Sequence, residues 1–148
     1  MVRGLAIDKH NGNFLKMDRY RYVKIAYHGF QELKQSERMH LYNASKFLDY
    51  EEPRFALVDT LFSLTDAYLF AQLVDLKDTT QFLNKKTYGE IYAEARHAMD
   101  LSHRDGTIKN WVAKDPARFI MRDPLIIKTL KNLKKQGKKI FLATNSVS

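Results

Sequence analysis

The chain has 148 residues and 45% hydrophobic content, enough for one domain with a real core, and no apolar run approaches the roughly 18 residues of a membrane span. Zero cysteines exclude disulfides, thiolate metal sites and cysteine nucleophiles, and fit a reducing, cytoplasmic setting. The net charge of +8 favours anionic partners, but no reading element for nucleic acid accompanies it, and the densest cluster, Lys128 to Lys139, falls mostly opposite Leu130 and Leu133 as a solvated helix face would.

In chain order, residues 3–26 read as a hairpin or meander. Leu5 and Ile7 alternate with less apolar neighbours, Asn11-Gly12-Asn13 is a turn signal, and Tyr20 to Ala26 alternates again. Residues 29–50 are mixed and suit short helices and loops. Phe55 to Phe62 carries Val58, Thr60 and aromatics, which favour a strand. Thr65 can cap a helix from Asp66 to about Leu76. After a loop over 79–86, Tyr88, Ile91, Tyr92, Ala95 and Met99 form the apolar stripe of a helix from about Thr87 to His103, which Asp105-Gly106 ends. A short helix surrounds Trp111. Asp123-Pro124 then opens a helix that runs to Gln136 and stops at Gly137, and Lys139 to Ala143 reads as a buried strand. The fold expected is α/β: N-terminal strands and a mostly helical region over 1–118, then one αβ unit over 119–148.

Several residues could carry chemistry. Arg96, Asp100 and His103 stand at i, i+4 and i+7 on one helix. Arginine offers a fixed fork of donors, aspartate accepts from an amine or hydroxyl, and histidine can do either. Lys109 follows the Asp105-Gly106 turn and can swing to the same side. The plainer reading of Arg96 and Asp100 is a surface pair worth about 0.2–0.5 kcal/mol. Thr144, Asn145 and Ser146 follow the last apolar run, and ligands of open α/β sheets bind at the carboxyl ends of strands. The same triplet is equally an ordinary polar cluster after a strand. Asp8 ends an apolar run as an aspartyl-phosphate nucleophile would, but His10 stands where such a motif needs an acid, and a hairpin turn accounts for Asn11-Gly12. His28, His40 and His97 lack metal-ligand spacing, and the chain has neither G-x-x-x-x-G-K-[ST] nor G-x-G-x-x-G.

Taken in order, the segments resemble a known family. Arg3-Gly4-Leu5-Ala6-Ile7-Asp8 with Gly12 to Asp18, His28-Gly29-Phe30, Asp59 to Leu64, Tyr68 to Asp75, Arg96 through Lys109, and Lys139 to Ser146 are similar to the cytosolic, IMP/GMP-preferring purine 5′-nucleotidases. These and related nucleotidase-domain proteins belong to the haloacid dehalogenase superfamily, and the resemblance covers nearly the whole chain.

The resemblance implies a partial haloacid dehalogenase-like fold: a cap-like region over 1–118 and one αβ unit of a Rossmann-like core over 119–148. It implies that Phe62 stacks on a purine and that Ser63 stands where the family often has a base-contacting Asn. Arg96, Asp100 and His103 would contact the nucleotide. Lys109, Thr144 and Asn145 would position its phosphate, and Arg104 stands where the family commonly has Tyr. The family hydrolyses purine nucleoside 5′-monophosphates through an aspartyl-phosphate with Mg²⁺. The D-x-D-x-T motif is expected upstream of Arg3 and the acidic metal-binding motif beyond Ser148, so this chain would hold no nucleophile and no metal ligands and would be inactive alone. The alternative is a noncatalytic purine-nucleotide-binding or regulatory module. A third possibility, a basic nucleic-acid-binding protein, predicts steeply salt-dependent binding to any oligonucleotide. Unpaired strand edges would favour association into a homo-oligomer or aggregate.

Overall fold

The computed structural model describes residues 4–42, 48–49 and 52–144. Packing divides the chain into two compact units, residues 1–105 and 106–148. The division falls at Asp105/Gly106, whereas the sequence divides the chain at 118/119.

The first unit is built on one five-stranded antiparallel sheet of order β4-β3-β2-β1-β5. Its strands are β1 (Leu5–Asp8), β2 (Asn13–Met17), β3 (Val23–His28), β4 (Gln31–Glu32) and β5 (Phe55–Leu57). The expected meander is thus present, and β5 returns to pair with β1. Gly12 turns the chain between β1 and β2 at φ +70, a left-handed conformation open to glycine. A Cβ there would also lie 2.8 Å from the Tyr88 ring.

Period-two alternation sends the two faces of the sheet into two cores. Ile7 packs with Val58, Ala67, Phe70, Val74 and Ile91, beneath the helices α2 (Leu61–Thr79) and α3 (Tyr88–Arg104). Ala6, Leu15, Met17, Ala26 and Leu48 form the second core, with Tyr42 at the end of α1 (Gln35–Leu41) packed against it.

Two expectations need correction here. The strand expected over 55–62 ends at Leu57, and the helix begins at Leu61 rather than Asp66. Thr60, not Thr65, is the N-cap: its hydroxyl accepts from the Ser63 N–H at 3.1 Å, and Ser63 Oγ accepts from the Thr60 N–H at 3.0 Å. That reciprocal pair satisfies two otherwise unpaired donors and outweighs the β-propensity of Thr60 and Phe62. The next helix begins as expected: Thr87 caps α3, with Glu90 closing the same kind of box.

The second unit holds α4 (Thr107–Lys114), α5 (Pro116–Phe119) and α6 (Pro124–Lys135). Asp123 accepts from the Leu125 N–H at 2.8 Å, Pro124 stands in the first turn, and Gly137 leaves the helix at φ +76, as the sequence implied. The strand expected at Lys139–Ala143 is not formed. That segment pairs with no described strand, and Phe141 and Leu142 are exposed. A parallel strand is held by neighbours on its edges and helices on its faces, and the described part of this unit contains helices alone. The αβ unit is therefore present as its helix only. No helix among the described residues is long and apolar enough to cross a membrane.

Candidate functional site

The first unit carries an open cleft of about 1150 Å³. One wall is the β1–β2 turn, with Lys9 and His10, together with Arg54 just before β5. The other is α3, with Tyr88, Tyr92, Arg96, His97 and Asp100. The Lys9 ammonium lies 5.4 Å from the Tyr92 ring centre, so part of the apolar wall is topped by positive charge.

Arg96, on the α3 wall, is held by two carboxylates. It makes an ion pair with Asp66 of α2 and another with Asp100, one turn along α3, at 3.1 Å. Asp66 first, and Asp100 more weakly, push the guanidinium further above its already high range. The two carboxylates differ in access: the side chain of Asp66 is 10% exposed and that of Asp100 is 61% exposed. The helices are locked one turn away, where Phe70 and Tyr92 meet edge to face at 5.5 Å. Asp66 and Phe70 stand at i and i+4 on α2, and Tyr92 and Arg96 at i and i+4 on α3, so an aromatic rung and an ionic rung join the antiparallel pair.

Behind the cleft lies a buried polar hub. The fully buried Asp8 carboxylate accepts from both Nε (2.8 Å) and Nη2 (2.6 Å) of Arg54. It also accepts from the Tyr42 hydroxyl (2.7 Å), the Asn11 side chain (2.9 Å) and the backbone N–H groups of His10 and Asn11. Burial pushes its pKa up, but the bonds from Arg54 and Tyr42 and the charge of Arg54 outweigh that and hold it below the usual carboxylate range. A carboxylate this fully engaged is a structural anchor, so the nucleophile reading of Asp8 is set aside. From Tyr42 the bonds continue through Asn13 (2.8 Å) to His28 Nδ1 (2.7 Å), whose Nε2 meets Asp78 at 2.6 Å. The Tyr88 hydroxyl donates to the same Asp78 at 2.8 Å.

The residues singled out in the sequence are distributed as follows. Arg96 and Asp100 are joined, and His103 is exposed in the last turn of α3. Phe62, 85% exposed, stands one turn before Asp66 on α2. Ser63 has its hydroxyl occupied by the cap of that helix. Lys109 on α4 and Thr144 belong to the second unit. Asn145 and Ser146 lie outside the described residues. Among the described residues no three His, Asp or Glu side chains converge to hold a metal ion.

Asp66 is missing from the sequence reading, although the signal was available. Starting α2 at the Thr60 cap puts Phe62 and Asp66 on one helix face, four residues apart. The hub residues Arg54 and Tyr42 gave no local signal, because they meet Asp8 only through the tertiary fold.

Comparison with known proteins places the chain in a family. The chain matches the 5′ nucleotidase family over residues 1–147. It is 26% identical, over 157 aligned residues, to the human 5′-nucleotidase domain-containing protein 2, covering 98% of this chain and 29% of that protein. The rat protein of the same name is also 26% identical, with 28% of it covered. A 5′-nucleotidase domain-containing protein of Dictyostelium discoideum is 26% identical over 151 residues, with 25% of it covered. The chain thus spans between a quarter and three-tenths of the length of these relatives. With nearly every residue inside the family match, the chain belongs to the 5′ nucleotidase family.

Proposed function

We propose that this chain is the nucleotide-recognising portion of a 5′-nucleotidase acting on purine nucleoside 5′-monophosphates, with IMP and GMP preferred. The observation that carries the reading is Arg96 clamped between Asp66 and Asp100 at the cleft, with the exposed Phe62 ring one turn away on α2. Two carboxylates around one guanidinium leave a net charge of −1, which suits a neutral hydrogen-bonding edge better than a phosphate. Asp100 offers an acceptor beside the donors of Arg96. A 6-oxopurine presents the complement, a ring N–H beside a carbonyl. An aromatic ring such as Phe62 supplies a stacking surface for the base, worth about 1–3 kcal/mol. On this reading Lys109, Thr144 and Asn145 have the phosphate-positioning role, and His103 is a further nucleotide contact.

On this reading the aspartyl-phosphate nucleophile and the Mg²⁺ ligands come with a D-x-D-x-T motif, which these 148 residues do not contain. The cation would supply phosphate neutralisation and activation there. This chain alone binds and does not turn over. Titration calorimetry with IMP, GMP and AMP tests the first half: binding of the 6-oxopurines, lost on Arg96→Ala, supports it, and equal heats for all three refute it. Phosphate release from IMP at enzymatic rates by the purified chain with Mg²⁺ would refute the second half. The alternative, a noncatalytic nucleotide-binding or regulatory module, draws on the engagement of Asp8 by six hydrogen bonds. Fusing a D-x-D-x-T-bearing segment of the family to this chain separates the two: a nucleotidase then gains turnover, and a regulatory module does not.

A further inference from the structure

We infer that Asp66 is the positioning residue of this site: it fixes the Arg96 guanidinium and thereby sets the discrimination between 6-oxo and 6-amino purines. The inference rests on the nucleotide reading above. Arg96 projects from α3 with half of its side chain in solvent, so one surface partner would leave it several rotamers. Its other partner, Asp66, is nearly buried and comes from a different helix. The Phe70–Tyr92 contact one turn away fixes the spacing of the two helices at that level. The buried carboxylate therefore acts as the anchor, and the exposed one, Asp100, remains available to a ligand.

The division has a chemical consequence. With Asp66 in place, the guanidinium presents its Nη2 edge beside Asp100 as an adjoining donor and acceptor. Without Asp66 the arginine can swing onto Asp100 alone, cover that acceptor and turn its free donors toward any carbonyl or phosphate. Affinity then need not vanish, but selectivity does. A residue that merely stabilised the helix pair would weaken both purines together.

The test measures IMP and AMP affinity by calorimetry for the wild-type chain, Asp66→Asn and Asp66→Glu. In parallel, NMR follows the Arg96 Nε–H signal in all three. The expected result is a fall of about tenfold in the IMP-to-AMP affinity ratio for Asp66→Asn, the size of one hydrogen bond to a charged group. Asp66→Glu recovers part of the ratio, and the Arg96 Nε–H exchanges faster in Asp66→Asn. An unchanged ratio, or equal loss for both nucleotides, overturns the inference while the nucleotide reading stands. A wild-type chain that binds neither nucleotide overturns that reading itself. The NMR arm then judges the anchoring independently, and insensitivity of Arg96 to Asp66→Asn overturns it.

Discussion

Replacing Asp8 with Asn tests the hub that ties the β1–β2 turn to Arg54 and Tyr42. The substitution keeps the shape but removes the charge and puts an amide donor among groups that all donate to this side chain. The hydrogen bonds from Arg54 to a charged acceptor would be worth about 1.5–3 kcal/mol, and the bond from Tyr42 about 1 kcal/mol. The Arg54 side chain is 34% exposed and can recover water, so the lower end of its range applies. The His10 and Asn11 N–H groups lie in a turn near solvent and add little. The expected loss is therefore about 2.5 kcal/mol, below the roughly 3–5 kcal/mol typical of breaking a fully buried pair. Urea unfolding followed by circular dichroism reads it out, with Arg54→Met and the double variant completing a cycle. Because the folded pKa of Asp8 is depressed, its contribution is complete above the unfolded value of about 3.9 and is lost as pH falls through the folded value. The difference between wild type and Asp8→Asn should stay constant from pH 7 to about 5 and shrink below about 4. A loss under about 1 kcal/mol, or additive single variants, would refute the reasoning.

Three further outcomes follow from the geometry. Gly12→Ala must hold φ +70 and place a methyl 2.8 Å from the Tyr88 ring, so it should cost about 2–4 kcal/mol in urea unfolding, and a neutral result would contradict the close approach. Phe62→Ala should weaken IMP binding about tenfold in calorimetry with no change in thermal midpoint, since the ring is exposed. Burial, then the hydrogen bond to Asp78 and its charge, push the Tyr88 hydroxyl up to about 12. Its share of stability is therefore intact below about pH 10 and lost between about 10 and 12, and Tyr88→Phe should flatten that limb in pH-dependent melts.

Much of the architecture was legible because it is written locally. The Asn11-Gly12 turn, the stripe on α3 and the Asp123-Pro124 to Gly137 frame of α6 each depend on residues within a turn or two. The errors came where a local choice had two answers. Thr60 and Phe62 are good strand residues, and the Thr60–Ser63 exchange of hydrogen bonds decides for helix. Lys139 to Ala143 has the composition of a buried strand, yet strand formation needs neighbours that the described chain does not supply. At the site, Arg96 and Asp100 announce themselves by their four-residue spacing. Asp66 is 30 positions from Arg96 and becomes its partner only once α2 and α3 fold back on each other.

The polar line behind the cleft has a further property. It runs from Arg54 through Asp8, Tyr42, Asn13, His28 and Asp78 to Tyr88, touching the cleft wall at both ends. A proton wire needs every link to pass a proton on, and the carboxamide of Asn13 does not ionise in the range where proteins are folded. The line is also oriented toward two sinks, with Arg54 and Tyr42 donating to Asp8, and Tyr88 donating to Asp78. It therefore transmits position rather than protons, acting as a tie-rod between the two banks of the cleft.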